Sequence, residues 1–269
     1  MIKVFKLVVV ALLCLACKEE NKEVAKFDTK LDNNNQVFSF IDQFDGTQLN
    51  DANWNYDLGD GCPNLCGWGN NERQIYTKEN VSVKEGNLII TATKDSTGYY
   101  SGKITTKDKI EFQYGTVEVS AKLPKGSGLW PAFWMLGNDI DTNTWPACGE
   151  IDILEYVGKA PHQIHTTLHT PDSYGKSVNT KITTIKDIEE GFHNYKTQWT
   201  KDSISFYIDN NLVYTFSPEI KNEKTWPFDK PFYIILNLAI GGNFGGPEVD
   251  DSIFPQEFII DYVKVSGLN

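Results

Sequence analysis

The sequence predicts an all-β protein, a sandwich or jelly roll of two antiparallel sheets. Short apolar or alternating runs, separated by turn residues, fill the chain from Val37 onward. No stretch sustains helical periodicity, and the chain has no internal repeats and no nucleotide-binding glycine loop. At 269 residues it suits one or two domains, and single β-sandwiches reach this size. A formal net charge of −11 and a pI near 4.9 argue against nucleic acid or anionic lipid as partner and fit an uncharged one. Aromatic residues at 13% suit a carbohydrate handler and a β-rich core alike.

The amino terminus reads as an address. Lys3 and Lys6 flank the start of an apolar run from Leu7 to Ala16, too short to span a bilayer and typical of a signal segment. Leu15-Ala16-Cys17 resembles a bacterial lipobox, in which Cys17 becomes the lipidated first residue. Lys18-Glu19-Glu20 resembles the charged tag that follows such cysteines in surface lipoproteins. Ordinary secretion with cleavage nearby is the competing reading. The expectation is therefore a signal peptide at 1–17 and an exported, outer-membrane or cell-surface lipoprotein of a bacterium. Such a protein meets the membrane only through a lipid on Cys17. Residues 18–36 are polar, include Asn33-Asn34-Asn35, and read as a flexible tether to a single domain at 37–269.

Within that domain the strands announce themselves in order. Gly86-Asn87 marks a turn into Leu88-Ile89-Ile90-Thr91-Ala92-Thr93. Residues 115–121 alternate cleanly, as do 203–208, and Asp209-Asn210-Asn211 supplies a hairpin turn into 212–214. Residues 232–238 and 258–265 are apolar enough for central strands.

Between them lies Glu150-Ile151-Asp152-Ile153-Leu154-Glu155, three carboxylates in a run whose other members favour a strand. Residues two apart share a face, so Glu150 and Asp152 point one way and Ile151 and Ile153 point into a core. Glu155 is out of phase with them. A β-bulge at Ile153-Leu154 restores the phase and places three acids on one face. Like charges so arranged shift one another's protonation equilibria, as glycoside cleavage requires. A solvated acidic face on an edge strand is the other reading. Trp130 and Trp134 precede the acids and Trp145 leads into them, as sugar-stacking platforms would. Any one of the three also suits a core.

These residues carry a resemblance. The chain is similar to glycoside hydrolase family 16, in its laminarinase (endo-β-1,3-glucanase) branch. The resemblance rests on residues 150–155 in their bulged form, Trp68-Gly69-Asn70-Asn71-Glu72, Gly128-Leu129-Trp130-Pro131-Ala132, Asn237-Leu238-Ala239-Ile240-Gly241-Gly242 and Asp261-Tyr262-Val263-Lys264-Val265. It implies a two-sheet β-jelly roll whose concave sheet carries the substrate cleft. It also implies a retaining endo-hydrolase of β-glucan polysaccharide, working as a monomer without a catalytic cofactor.

By resemblance Glu150 is the nucleophile, Glu155 the general acid/base, and Asp152 the residue that holds Glu150. Asn71 and Arg73 resemble sugar-hydroxyl contacts on the non-reducing side, although a surface salt bridge suits Arg73 equally. Trp130, Trp134 and Trp145 are the stacking candidates. His169 resembles a cleft histidine, and Asn237 is a further candidate. Many relatives carry Trp after the Gly-Gly pair where this chain has Asn243-Phe244, which puts stacking at that end in question. Asp261 and the Gly86 carbonyl match a structural calcium position.

Three cysteines follow Cys17. Cys62 and Cys66 can close a small loop, leaving Cys148 free, or Cys148 can pair with either. The four histidines make no zinc-finger spacing with them. Three alternatives stay open on sequence: mixed-linkage glucan as substrate, a red-algal galactan as substrate, and a non-catalytic glucan-binding jelly roll.

Overall fold

The computed structural model describes residues 39–267. The signal segment, Cys17 and the 18–36 tether lie outside the described residues. The remainder is two stacked sheets joined by loops, with one four-residue α-helix at Gly242–Gly245 and two short 3₁₀ turns among the described residues.

One sheet runs in the order Asn211–Phe216, Ile204–Ile208, His193–Trp199, Gly115–Lys122, Gln256–Ser266, Asn87–Lys94, Tyr99–Ser101 and Gln74–Tyr76. Ser39–Asp42 and Val81–Lys84 pair onto it. The other runs Thr180–Thr184, Gln163–His169, Glu150–Tyr156, Leu129–Gly137, Phe232–Ile240, Lys103–Thr105 and Asn55–Tyr56, with Glu111–Phe112 pairing alongside. Pairing is antiparallel throughout except between Gln74–Tyr76 and Tyr99–Ser101, which are parallel.

The predicted strands fall where their patterning placed them. Gln256–Ser266 sits centrally between Gly115–Lys122 and Asn87–Lys94, and all nine residues of Phe232–Ile240 are buried. The hairpin turns have the expected chemistry. Asp209 and Asn210 take φ of 48° and 65°, as do Glu85 and Gly86 at 54° and 72°. Two successive left-handed residues match the twist of the flanking strands.

The core lies between the sheets. Leu88, Ile90, Val117, Val119, Phe258 and Ile260 come from one side, and Phe133, Met135, Ile151, Leu154, Leu168 and Leu236 from the other. Trp54 and Trp199 fill its ends, the latter edge-on to Phe112, Tyr114 and Phe232.

The bulge is present where the acid spacing requires it. On one flank Asp152 faces Trp134 and Leu154 faces Phe133, so Ile153 has no partner. On the other flank Asp152 faces Thr167 and Glu155 faces His165, so Ile153 and Leu154 together oppose Thr166. Both bulge residues are buried in the core, at 1% and 0% exposure. Deleting Leu154 leaves a regular alternation with Ile153 in the core. Deleting Ile151 puts Glu150 beside Asp152 and turns one acid inward. We expect the Leu154 deletion to stay folded and the Ile151 deletion to melt about 10 °C or more lower, since an unpaired buried charge costs several kcal/mol. Equal melting temperatures for the two would contradict the bulge.

Candidate active site

The site occupies the face of the second sheet turned away from the core, and strand alternation builds it. On Glu150–Tyr156, Ile151, Ile153 and Leu154 fill the core and the three acids take the other face. On Leu129–Gly137, Pro131, Phe133 and Met135 are buried while Trp130 and Trp134 flank Ala132 on the site face. Ala132 pairs with Glu155 on one side and Asn237 on the other. Ala132 and Glu155 are themselves buried, at 4% and 9% exposure. On Gln163–His169, His165 and His169 face Glu155 and Glu150 in register.

All three tryptophans belong to the site and none to the core. Trp130 Nε1 donates to Glu155 Oε1 at 3.1 Å, and Trp134 Nε1 donates to Asn237 Oδ1 at 2.8 Å. Trp145 is 40% exposed and packs against His169 and edge-on to Tyr174. His169 Nε2 lies 3.5 Å from Glu150 Oε1 and 3.3 Å from Asp152 Oδ2. These three side chains form the group of metal-type ligands found among the described residues, but here they are the centre of the acid cluster.

Burial dominates the electrostatics. It pushes Glu150 up to about 8, with the Asp152 charge raising it further and His169 and Trp145 opposing. It pushes Asp152 up to about 8. Glu155 rises well above the usual carboxylate range through burial first and the Asp152 and Glu150 charges next, against His169 and the Trp130 N–H. Burial and mutual repulsion therefore disfavour full ionisation of the trio, which lets a protonated and an ionised carboxyl coexist in one site.

Asn71 and Arg73 sit at the rim. Asn71 Nδ2 donates to Asn243 Oδ1 at 2.9 Å, and Arg73 Nη2 donates to the Pro247 carbonyl. The Gly241-Gly242 pair seats this rim. Both residues have positive φ, and a Cβ on them would meet Arg73 Cδ at 3.0 Å and the Asn70 carbonyl at 2.9 Å.

The departure at Asn243-Phe244 does not empty that end of aromatics. Phe244 packs edge-on against Trp130 at 5.2 Å and His165 at 5.0 Å. His165 is a site residue that sequence reasoning missed, although its spacing of four from His169 on a strand was a usable signal. Its Nε2 is buried without a partner among the described residues. Lys103 was also missed. Its ammonium lies 3.8 Å from the Trp68 ring centroid, 5.7 Å from that of Trp134, and 3.2 Å from Asp57. No motif marks it.

Cys62 and Cys66 are disulfide-bonded and Cys148 is free, buried two residues before Glu150. Burial pushes the Cys148 thiol up to about 12, which leaves it unreactive. Asp261 and Gly86 lie close in the strand pairing, since Ile260 faces Leu88 beyond the Glu85-Gly86 turn. They offer two of the six to eight oxygens calcium takes. That donor set is not by itself a calcium shell, and nothing in the chemistry below uses one.

A buried carboxylate cluster walled by indoles, on the open face of a β-sandwich, defines a glycoside hydrolase. The sequence profile described as "Glycosyl hydrolases family 16" matches residues 69–263. The chain belongs to that family. It is similar to a laminarinase from Flavobacterium sp. UMI-01, at 61% identity and a TM-score of 0.83, over 84% of this chain and 98% of that one. It is 38% identical to a beta-glucanase of Rhodothermus marinus over 83% of this chain and 82% of the relative. It is 39% identical to glucan endo-1,3-beta-glucosidase A1 of Niallia circulans, over 83% of this chain and 37% of that longer relative.

The raised carboxyls make the site a source of instability with a definite pH dependence. Below the ordinary carboxylate range the acids are protonated in both folded and unfolded chains and cost nothing. As pH rises toward 8 the unfolded chain ionises freely and the folded one resists, so stability falls across that window. Glu150→Gln should therefore melt above wild type by a margin that is small at pH 4 and grows to about 4 °C or more at pH 8. Calorimetry across that range checks it, and a margin independent of pH would contradict the burial of these groups as ionisable acids.

Proposed function

We propose that the chain is an endo-acting, retaining hydrolase of laminarin-type β-1,3-glucan. The single observation that carries the mechanism is the bulge, which sets Glu150, Asp152 and Glu155 on one desolvated face beside Trp130. The 61% identity to a laminarinase supports the choice of substrate.

In this reading Glu150 attacks the anomeric carbon while Glu155, held by the Trp130 N–H, delivers its proton to the departing glycosidic oxygen. The resulting glycosyl-enzyme is then hydrolysed by a water that Glu155 deprotonates, restoring the starting configuration. With the shared proton on Asp152, Glu150 is free to act as a carboxylate, and His169 lies within reach of both. Side chains supply all the acid–base chemistry, so the reaction needs no cofactor. The indoles of Trp130, Trp134 and Trp145 offer faces to sugar C–H groups, with Asn71 and Arg73 at the rim toward the hydroxyls. Asn237, expected from sequence to contact substrate, is instead buried with both ends of its amide bonded to Trp134 and Tyr76. A non-catalytic binder would gain nothing from burying three acids at a cost in stability.

The amino-terminal reading extends the proposal to an exported, monomeric enzyme tethered to a bacterial outer membrane through a lipid on Cys17. Metabolic labelling with a fatty acid, lost in Cys17→Ala, tests the anchor.

Protein lacking residues 1–17 should release reducing sugar from laminarin faster than from lichenan, agarose or carrageenan, with the β-anomer appearing first by NMR. Faster release from a galactan, or the α-anomer first, would overturn the assignment. Glu150→Gln and Glu155→Gln should each lose at least about 100-fold in kcat while still binding laminarin. Turnover should follow a bell-shaped pH profile, because one carboxyl must be ionised while another is protonated. A profile without an acidic limb, on a protein still folded, would exclude this mechanism.

A further inference from the structure

Glu72 is a half-buried carboxylate beside the cleft that the mechanism does not use. It closes the Trp68-Gly69-Asn70-Asn71-Glu72 segment, and its carboxylate collects three donors. Gln74 Nε2 lies at 2.6 Å and Tyr76 OH at 3.2 Å from one oxygen, and Asn70 Nδ2 at 3.3 Å from the other. The contacts continue inward. Asn237 Nδ2 donates to Tyr76 OH at 3.1 Å, and Asn237 Oδ1 accepts from Trp134 Nε1 at 2.8 Å. Tyr76 is 2% exposed and Asn237 7%, so little water can substitute for either link.

The direction of every bond in this chain is fixed. An indole N–H can only donate, so the Asn237 oxygen must face Trp134 and its NH₂ must face Tyr76. The phenol oxygen thereby accepts, and its single proton has one place to go, the Glu72 carboxylate. Burial, reinforced by the Glu72 charge, holds the Tyr76 phenol well above its usual range, so that proton stays in place. The outer end is anchored as well. Gln74 Oε1 accepts from the Ile240 N–H at 2.7 Å, and Arg73 N–H donates to the Ile240 carbonyl at 2.9 Å.

We propose that Tyr76 and Glu72 are positioning residues that act through Asn237 to hold the Trp134 indole at the angle at which it stacks on a bound sugar. Trp134 pairs in register with Asp152, one residue before the bulge, so a tilt of this ring alters the floor next to the reacting bond. The inference rests on the glucan-hydrolase reading above and names the residues behind one of its platforms. Because the ring contacts sugar before and during reaction, loosening it weakens substrate and transition-state binding together. The effect falls on KM, not kcat.

The experiment is a pair of double-mutant cycles on laminarin hydrolysis, Tyr76→Phe with Trp134→Phe and Glu72→Ala with Trp134→Phe. Tyr76→Phe keeps the buried ring and removes only the hydroxyl, while Glu72→Ala removes the anchor and leaves Tyr76 whole. Each should raise KM roughly 5- to 10-fold with kcat within about two-fold of wild type, and neither should change KM by more than about two-fold once Trp134 is Phe. Should one variant fail to fold by circular dichroism, the other cycle decides. An unchanged KM, or KM effects that persist in full in the Trp134→Phe background, overturns the proposal. A wild-type enzyme without activity on laminarin would instead overturn the functional reading on which it rests.

Discussion

The site depends on one misalignment in one strand. Six residues cannot present acids at the first, third and sixth positions of a single face in a regular ladder. Ile153 and Leu154 must both turn inward opposite Thr166 for Glu155 to return to the side of Glu150. The core enforces this, because both residues are fully packed and a chain without the bulge would exchange a leucine for a carboxylate in an apolar interior. Hydrophobic burial on one face thus sets the catalytic geometry on the other.

The same constraint explains which parts of the molecule were legible in sequence. Strand alternation is local, so the central strands and the bulge could be read from the order of apolar and polar residues. The doubt over which tryptophan is core resolves through parity. Trp130 and Trp134 are an even number apart and share the site face, while Pro131 and Phe133 between them, and Met135 after them, are buried on the other. Trp145 escapes this logic because it lies in the loop before the strand and reaches the site through His169 and Tyr174.

What could not be read is long-range. Lys103 meets Trp68 only because the Lys103–Thr105 strand pairs with Phe232–Ile240, and Phe244 meets His165 only across the strands between them. Neither contact leaves a local pattern. The cysteine pairing was open for the same reason. Cys62 and Cys66, four positions apart, are bonded to each other, whereas Cys148 is free and buried just before the acid strand.

Burial raises every one of these acids, but the donors around the acid trio and around Glu72 differ. Glu150, Asp152 and Glu155 are desolvated with few donors among them, and Asp152 Oδ2 has no hydrogen-bond partner among the described residues. Their ionised forms are therefore disfavoured, which suits Glu155 to the acid role proposed for it. Glu72 is also raised by burial, but Gln74, Asn70, Lys103 and Tyr76 all oppose the shift. A carboxylate furnished with that many donors is a fixed acceptor, suited to holding a network in one orientation and poorly suited to exchanging a proton with substrate. Donor count thus distinguishes the acid trio from Glu72, where burial alone would not.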